Sequence, residues 1–77
     1  MITIKSRARD WRVLQWASRC DRASFEESAW THEMPVVRAY QILNRLFDDP
    51  KAYQRDARTV DFWRGVRDGA RHERIAA

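Results

Sequence analysis

Residues 22–49 read RASFEESAWTHEMPVVRAYQILNRLFDD, and how this stretch folds decides how the rest of the chain can pack. Ser24 followed three residues later by Glu27 has the spacing of a capping box, in which each side chain satisfies the other's orphan backbone N–H, so a short helix is expected to begin at Phe25. Met34-Pro35 should end it, because a residue before proline is pushed out of the α region. Pro35 in turn suits the first turn of a second helix. That helix should run through Phe47 and stop at Asp48-Asp49-Pro50. The expectation is two helices joined by a tight bend.

At about 100° per residue, Val36, Ala39, Ile42, Leu43, Leu46 and Phe47 cover one side of the second helix. Val37, Arg38, Gln41, Asn44 and Arg45 lie on the other, with Tyr40 at the border. The apolar side is a core face. In the first helix Phe25, Ala29 and His32 share a side, and a small residue at position 29 permits a close, steep crossing. Ala29, the Glu33-Met34 turn, Ala39 and Ile42 together resemble the helix-turn-helix segment of DNA-binding domains over residues 24–47. That family usually has glycine where Glu33 stands and an aliphatic residue where His32 stands. The resemblance implies a compact dimeric regulator of phage, plasmid or bacterial type, binding double-stranded DNA through the helix 36–47.

Composition sets the frame around this pair. A chain of 77 residues makes one domain, residues 1–77, near the lower limit for a self-sufficient core, yet four Trp, three Phe and two Tyr supply ample material for burial. Only two Gly and two Pro favour an all-α fold of four to five helices, with a short N-terminal strand or a minimal wing left open. No apolar run approaches the roughly 18–20 residues of a membrane span. The start MITIKSRARDW lacks the apolar middle of a signal peptide, so a cytoplasmic location is expected. The single Cys20 permits no internal disulfide and reads as a small buried hydrophobe.

The net charge of +4 is unevenly spread: +4 over residues 1–24, −3 over 25–50 and +3 over 51–77. Thirteen of the 15 basic residues are Arg, the side chain suited to bidentate contact with phosphate or carboxylate.

Working outward, Ile2 and Ile4 alternate as in a short strand or arm. From Arg7 to Cys20 a helix is expected with Val13, Leu14, Trp16, Ala17 and Cys20 inward and Trp11 off that face. Asp48 or Asp49 can cap a short turn from Pro50 to Arg55. Residues 51–63 read either as a wing, since Val60 and Phe62 alternate, or as the start of a helix capped by Thr59 and running to Ile75. On the helical reading Phe62, Trp63, Val66, Gly69 and Ala70 form its core face, with Gly65 and Gly69 allowing close packing. Arg64, Arg67, Arg71 and Arg74 then form one ridge, with Asp61 and Asp68 placed to pair with Arg64 and Arg71. Trp30 projects among Glu26 and Glu27 and is expected either to be covered by the C-terminal segment or to serve as a contact anchor.

The chemistry on offer favours binding over catalysis. Neither His32 nor His72 has a partner at metal-ligand spacing, and no phosphate loop or nucleophile motif is present, so neither an enzyme nor a cofactor is expected. The candidate DNA-reading residues are Val37, Arg38, Tyr40, Gln41, Asn44 and Arg45. Gln and Asn pair bidentately with adenine, Arg suits guanine or phosphate, and Val suits a thymine methyl. The candidate phosphate contacts are Arg22, Lys51, Arg55, Arg58, Arg64, Arg67 and Arg71. The acids of the central segment weigh toward a second expectation: a small helical protein-interaction module, an inhibitor or adaptor, gripping its partner through Trp30, Val37 and Tyr40.

Overall fold

In a computed structural model, which describes the backbone of residues 4–76 and the side chains of residues 7–69, the chain forms five helices. These are α1 (Ile4–Ala17), α2 (Arg22–Thr31), α3 (Val36–Leu46), α4 (Pro50–Arg55) and α5 (Ala57–Ala76). Among the described residues there is no strand, so the wing reading of 51–63 gives way to helix. The N-terminal strand is likewise corrected at Ile4 and Lys5, which open α1, while Met1–Thr3 lie outside the described residues.

Helix α1 is the hub, packing on α2, α3 and α5. Its residues Asp10, Val13, Leu14 and Ala17 repeat at the spacing of one helical stripe and are all buried, joined by Trp16. The helix stops three residues short of Cys20. Ser18 Oγ donates to the Gln15 carbonyl at 2.6 Å, competing with the helical ladder, and Cys20 then takes a left-handed φ of 56°. Cys20 is therefore half-buried in the turn instead of sitting on the core face.

Helix α2 begins at Arg22, earlier than the Ser24–Glu27 pairing suggests. Asp21 stands at the N-cap position, and Ser24 donates its hydroxyl to Asp21 Oδ2 at 2.7 Å. Phe25 and Ala29 are fully buried as the spacing requires. His32 is not: it is exposed, with Nδ1 2.8 Å from the Ser28 carbonyl and its ring 4.9 Å from that of Trp16. The helix has already ended there, so the next turn of the stripe does not exist.

The bend into α3 is a Schellman motif. Glu33 adopts φ 59°, the Met34 N–H reaches the Ala29 carbonyl at 2.9 Å, and the Glu33 N–H reaches that of Trp30 at 3.0 Å. Glutamate thus occupies the left-handed position at which glycine is usual. Pro35 serves as the N-cap of α3 with an extended ψ of 136°, one place before the first turn, and its carbonyl accepts from Ala39. Ala39, Ile42, Leu43, Leu46 and Phe47 are buried and Val36 half-buried.

At the next link Asp49 Oδ1 accepts from the Lys51 N–H at 3.0 Å, with Pro50 in the first turn, so α4 is capped as expected. Asp49 Oδ2 also takes Arg7 at 2.7 Å, tying α4 to α1. The guanidinium groups of Arg7 and Arg55 both stand over the Trp11 ring, at 5.1 and 4.7 Å from its centre.

Helix α5 starts at Ala57, two residues before the expected Thr59. The cap is Asp56, which accepts from the Thr59 N–H at 3.2 Å and from its hydroxyl at 2.6 Å. This turns Thr59, Val60 and Trp63 inward, and the Trp63 indole N–H donates to the Ala17 carbonyl at 2.8 Å. Phe62 is accordingly 39% exposed, and Gly69 is exposed as well. Neither Gly65 nor Gly69 allows a close approach, since a Cβ built at either meets nothing within 4 Å. The side chain of Ala70 lies outside the described residues.

Candidate nucleic-acid interface

The outer face of α3 is built from the same pattern that buries its inner face. With Ala39, Ile42, Leu43 and Leu46 fixed in the core, the helical turn directs Val37, Arg38, Gln41, Asn44 and Arg45 to solvent. Helix α3, VVRAYQILNRL, contains no carboxylate. Val37 is 68% exposed. Tyr40 differs from its neighbours: its ring packs 5.0 Å from that of Phe25, and its hydroxyl donates to Glu26 Oε2 at 2.6 Å. Burial, reinforced by the Glu26 hydrogen bond and charge, pushes the phenol well above its ordinary range, so Tyr40 stays neutral and directs its hydroxyl toward α2.

Arg45 leans toward α1, where it bonds Asp10 Oδ1 at 2.9 Å. Asp10 is only 2% exposed, while the Arg45 side chain remains 58% exposed, so the carboxylate grips the guanidinium from inside and leaves much of it in water. Arg9 lies 3.8 Å from the same oxygen. Sequence reasoning overlooked Asp10 as the partner of Arg45. The available signal was its position on the buried stripe of α1, since a carboxylate so placed needs a cation.

The phosphate candidates separate into groups. Arg67 stands beside α3, with its guanidinium 5.0 Å from the Phe47 ring centre and one nitrogen 3.5 Å from Asn44 Oδ1. Its ion pair is with Asp68, at 3.2 Å. Arg22, at the start of α2, lines the same groove as Tyr40, Asn44 and Arg67. Arg64 donates to the Phe47 carbonyl instead of pairing with Asp61. Arg55 is stacked on Trp11, and Arg58 points to Cys20 Sγ at 3.8 Å, so these two lie against α1 and the α1–α2 turn. Lys51 is exposed at the start of α4. The side chains of Arg71 and Arg74 fall outside the described residues.

Two of the five central acids are held by side chains of other elements: Glu26 accepts from Tyr40 and Asp49 holds Arg7. Glu27 lines a polar cleft between α1 and α2 together with Arg12 and Arg19. Trp30 is 78% exposed, which corrects the expectation that the C-terminal segment covers it. It borders a shallow hollow with Glu33, Met34 and Pro35. Among the described residues no group of three or more His, Cys, Asp or Glu could hold a metal ion, and no helix is long and apolar enough to cross a membrane.

The family described as "Protein of unknown function (DUF3263)" matches residues 6–75. No curated protein and no solved structure matches the chain.

Proposed function

We propose that this chain, which belongs to the DUF3263 family, is a small DNA-binding transcriptional regulator that reads the major groove with α3. The observation that carries the reading is the outward face of α3: Val37, Arg38, Gln41 and Asn44 stand exposed together on a helix with no carboxylate. Gln41 and Asn44 supply paired donor and acceptor groups for adenine, Arg38 for guanine or phosphate, and Val37 meets a thymine methyl. Arg45, oriented by Asp10, and Arg67 and Arg22 on the opposite flank reach the phosphates on either side. Arg55, stacked on Trp11, and Arg64, bonded to the Phe47 carbonyl, lie outside the set used in this reading. The protein acts in the cytoplasm as a homodimer, presenting one copy of α3 to each half-site.

Fluorescence anisotropy with a random duplex tests this. About three phosphate contacts, Arg22, Arg45 and Arg67, give a log–log salt slope near −2.7, so binding present at low salt weakens steeply as salt rises. Arg38→Ala and Gln41→Ala each lose about 1–3 kcal/mol of discrimination between the preferred site and random duplex. Absence of binding to any duplex at low salt rejects the proposal.

The exposure of Trp30 supports a second reading, an interaction module that seats Trp30 and Val37 against another protein. In that case Trp30→Ala leaves thermal stability unchanged and abolishes partner capture, whereas on the DNA reading it leaves duplex affinity within about twofold.

A further inference from the structure

Between α2, α3 and α5 lies a groove of about 200 Å³ whose floor is apolar: Leu43, Phe47, Trp63 and Val66. The one strong donor on that floor, the Trp63 indole N–H, is already bonded to the Ala17 carbonyl, so nothing polar is left unsatisfied beneath a ligand. The rim is cationic. Arg22 and Arg67 both line the opening, and among the described residues no carboxylate stands within ion-pair distance of Arg22. Arg67 lies against the Phe47 ring, with its Nε bonded to Asp68 and one terminal nitrogen directed at Asn44. Of the acids beside the lining residues, Glu26 is occupied by the Tyr40 hydroxyl and Asp68 by Arg67.

From this combination we propose that the groove binds a small amphipathic anion, a monocarboxylate with a compact aromatic or branched apolar body. The body displaces water from the floor and the carboxylate bridges Arg22 and Arg67. The volume is below that of sites for drug-sized molecules, which limits the ligand to about ten non-hydrogen atoms. Such a ligand is expected to bind with a dissociation constant of roughly 0.1–1 mM. Because Arg67 also contacts Asn44, an occupied groove withdraws that guanidinium from α3, and the anion acts as an effector that weakens DNA binding. This regulatory consequence rests on the DNA-binding reading; occupancy of the groove does not.

Phenylacetate is the probe. Titrated into the full chain and followed by nuclear magnetic resonance, it should shift the Trp63 indole N–H and the Leu43 and Val66 methyl groups saturably, leaving the Trp30 indole unmoved. Benzyl alcohol, with a similar body and no charge, should bind about tenfold more weakly, and the double variant Arg22→Gln, Arg67→Gln should reduce phenylacetate affinity to that level. Both positions are at least partly exposed, so the variant is expected to fold as the parent does. No saturable shift at Trp63, or equal affinity for the two probes, overturns the site. If the shifts saturate and the chain binds no duplex, the groove stands and the DNA-binding proposal fails. If duplex is bound but phenylacetate leaves its affinity unchanged, the effector role is overturned.

Discussion

Helices α3 and α5 line two sides of one groove, yet their sequences constrain their rotation very differently. In α3 the core positions Ala39, Ile42, Leu43 and Leu46 form a single stripe, so only one rotation of the helix buries them all. In α5 the apolar residues Val60, Phe62, Trp63 and Val66 spread over too wide an arc to be buried together. Polar partners decide between the options. Asp56 takes the Thr59 hydroxyl, the Ala17 carbonyl takes the Trp63 indole, and Phe62 is rotated toward water. When two bulky aromatics are adjacent in a helix, hydrogen bonds at its start and middle choose which one is buried.

The strongest way to break this contrast is to truncate the two aromatics of α5 separately. Trp63→Ala should lower unfolding free energy by about 3–5 kcal/mol in urea titrations, and Phe62→Ala by less than about 1 kcal/mol. Equal losses would mean that Phe62 shares the core after all. Next comes the cap that sets the rotation. Asp56→Ala should cost about 1–2 kcal/mol, because the Thr59 N–H and its buried hydroxyl both lose their acceptor; an unchanged denaturation midpoint would show that Trp63 alone fixes α5. On the outer face of α5 the sign reverses. Gly65→Ala should stabilise by about 1 kcal/mol, since the new methyl meets open space, and destabilisation would indicate a neighbour packed there.

The smallest effect concerns Asp49, at the link between the two helices. Its partial burial opposes ionisation, but the Arg7 hydrogen bond, the Lys51 N–H and the Arg7 charge together hold the carboxyl below its ordinary 3.8. A folded value below the unfolded one means that the ionised group stabilises the fold above the unfolded value, and that this is lost as pH falls through the folded value. Asp49→Asn keeps a capping side chain and should therefore flatten the fall of melting temperature on acidification below 3.8. An identical profile in the variant would remove the Arg7–Asp49 pair from the stability of the domain.

What was legible in the residues follows the same division. Met34-Pro35 gave the bend, and the α3 stripe gave both its buried side and its exposed one, with Tyr40 at the boundary where the structure has it. The helical content and the Asp49 cap were equally readable, because each depends on contacts within a few residues. The partners of the charged groups were not. Asp10 with Arg45, Arg7 with Asp49, and Arg64 with the Phe47 carbonyl join positions 17 to 42 residues apart, and spacing along one helix carries no information about them. For the same reason the candidate phosphate set scattered, with Arg22 and Arg67 lining one groove with Asn44 while Arg55 and Arg58 were drawn to α1 and its turn.

The bond from the Trp63 indole to the Ala17 carbonyl spans 46 residues, and it joins the end of the hub helix to the last helix of the chain. During synthesis on a ribosome, α1, α2 and α3 therefore emerge with one side of their shared core uncovered, and they stay so until position 63 has left the exit tunnel. Until that moment the nascent chain exposes Phe25 and the inner face of α3, a surface on which a chaperone can act.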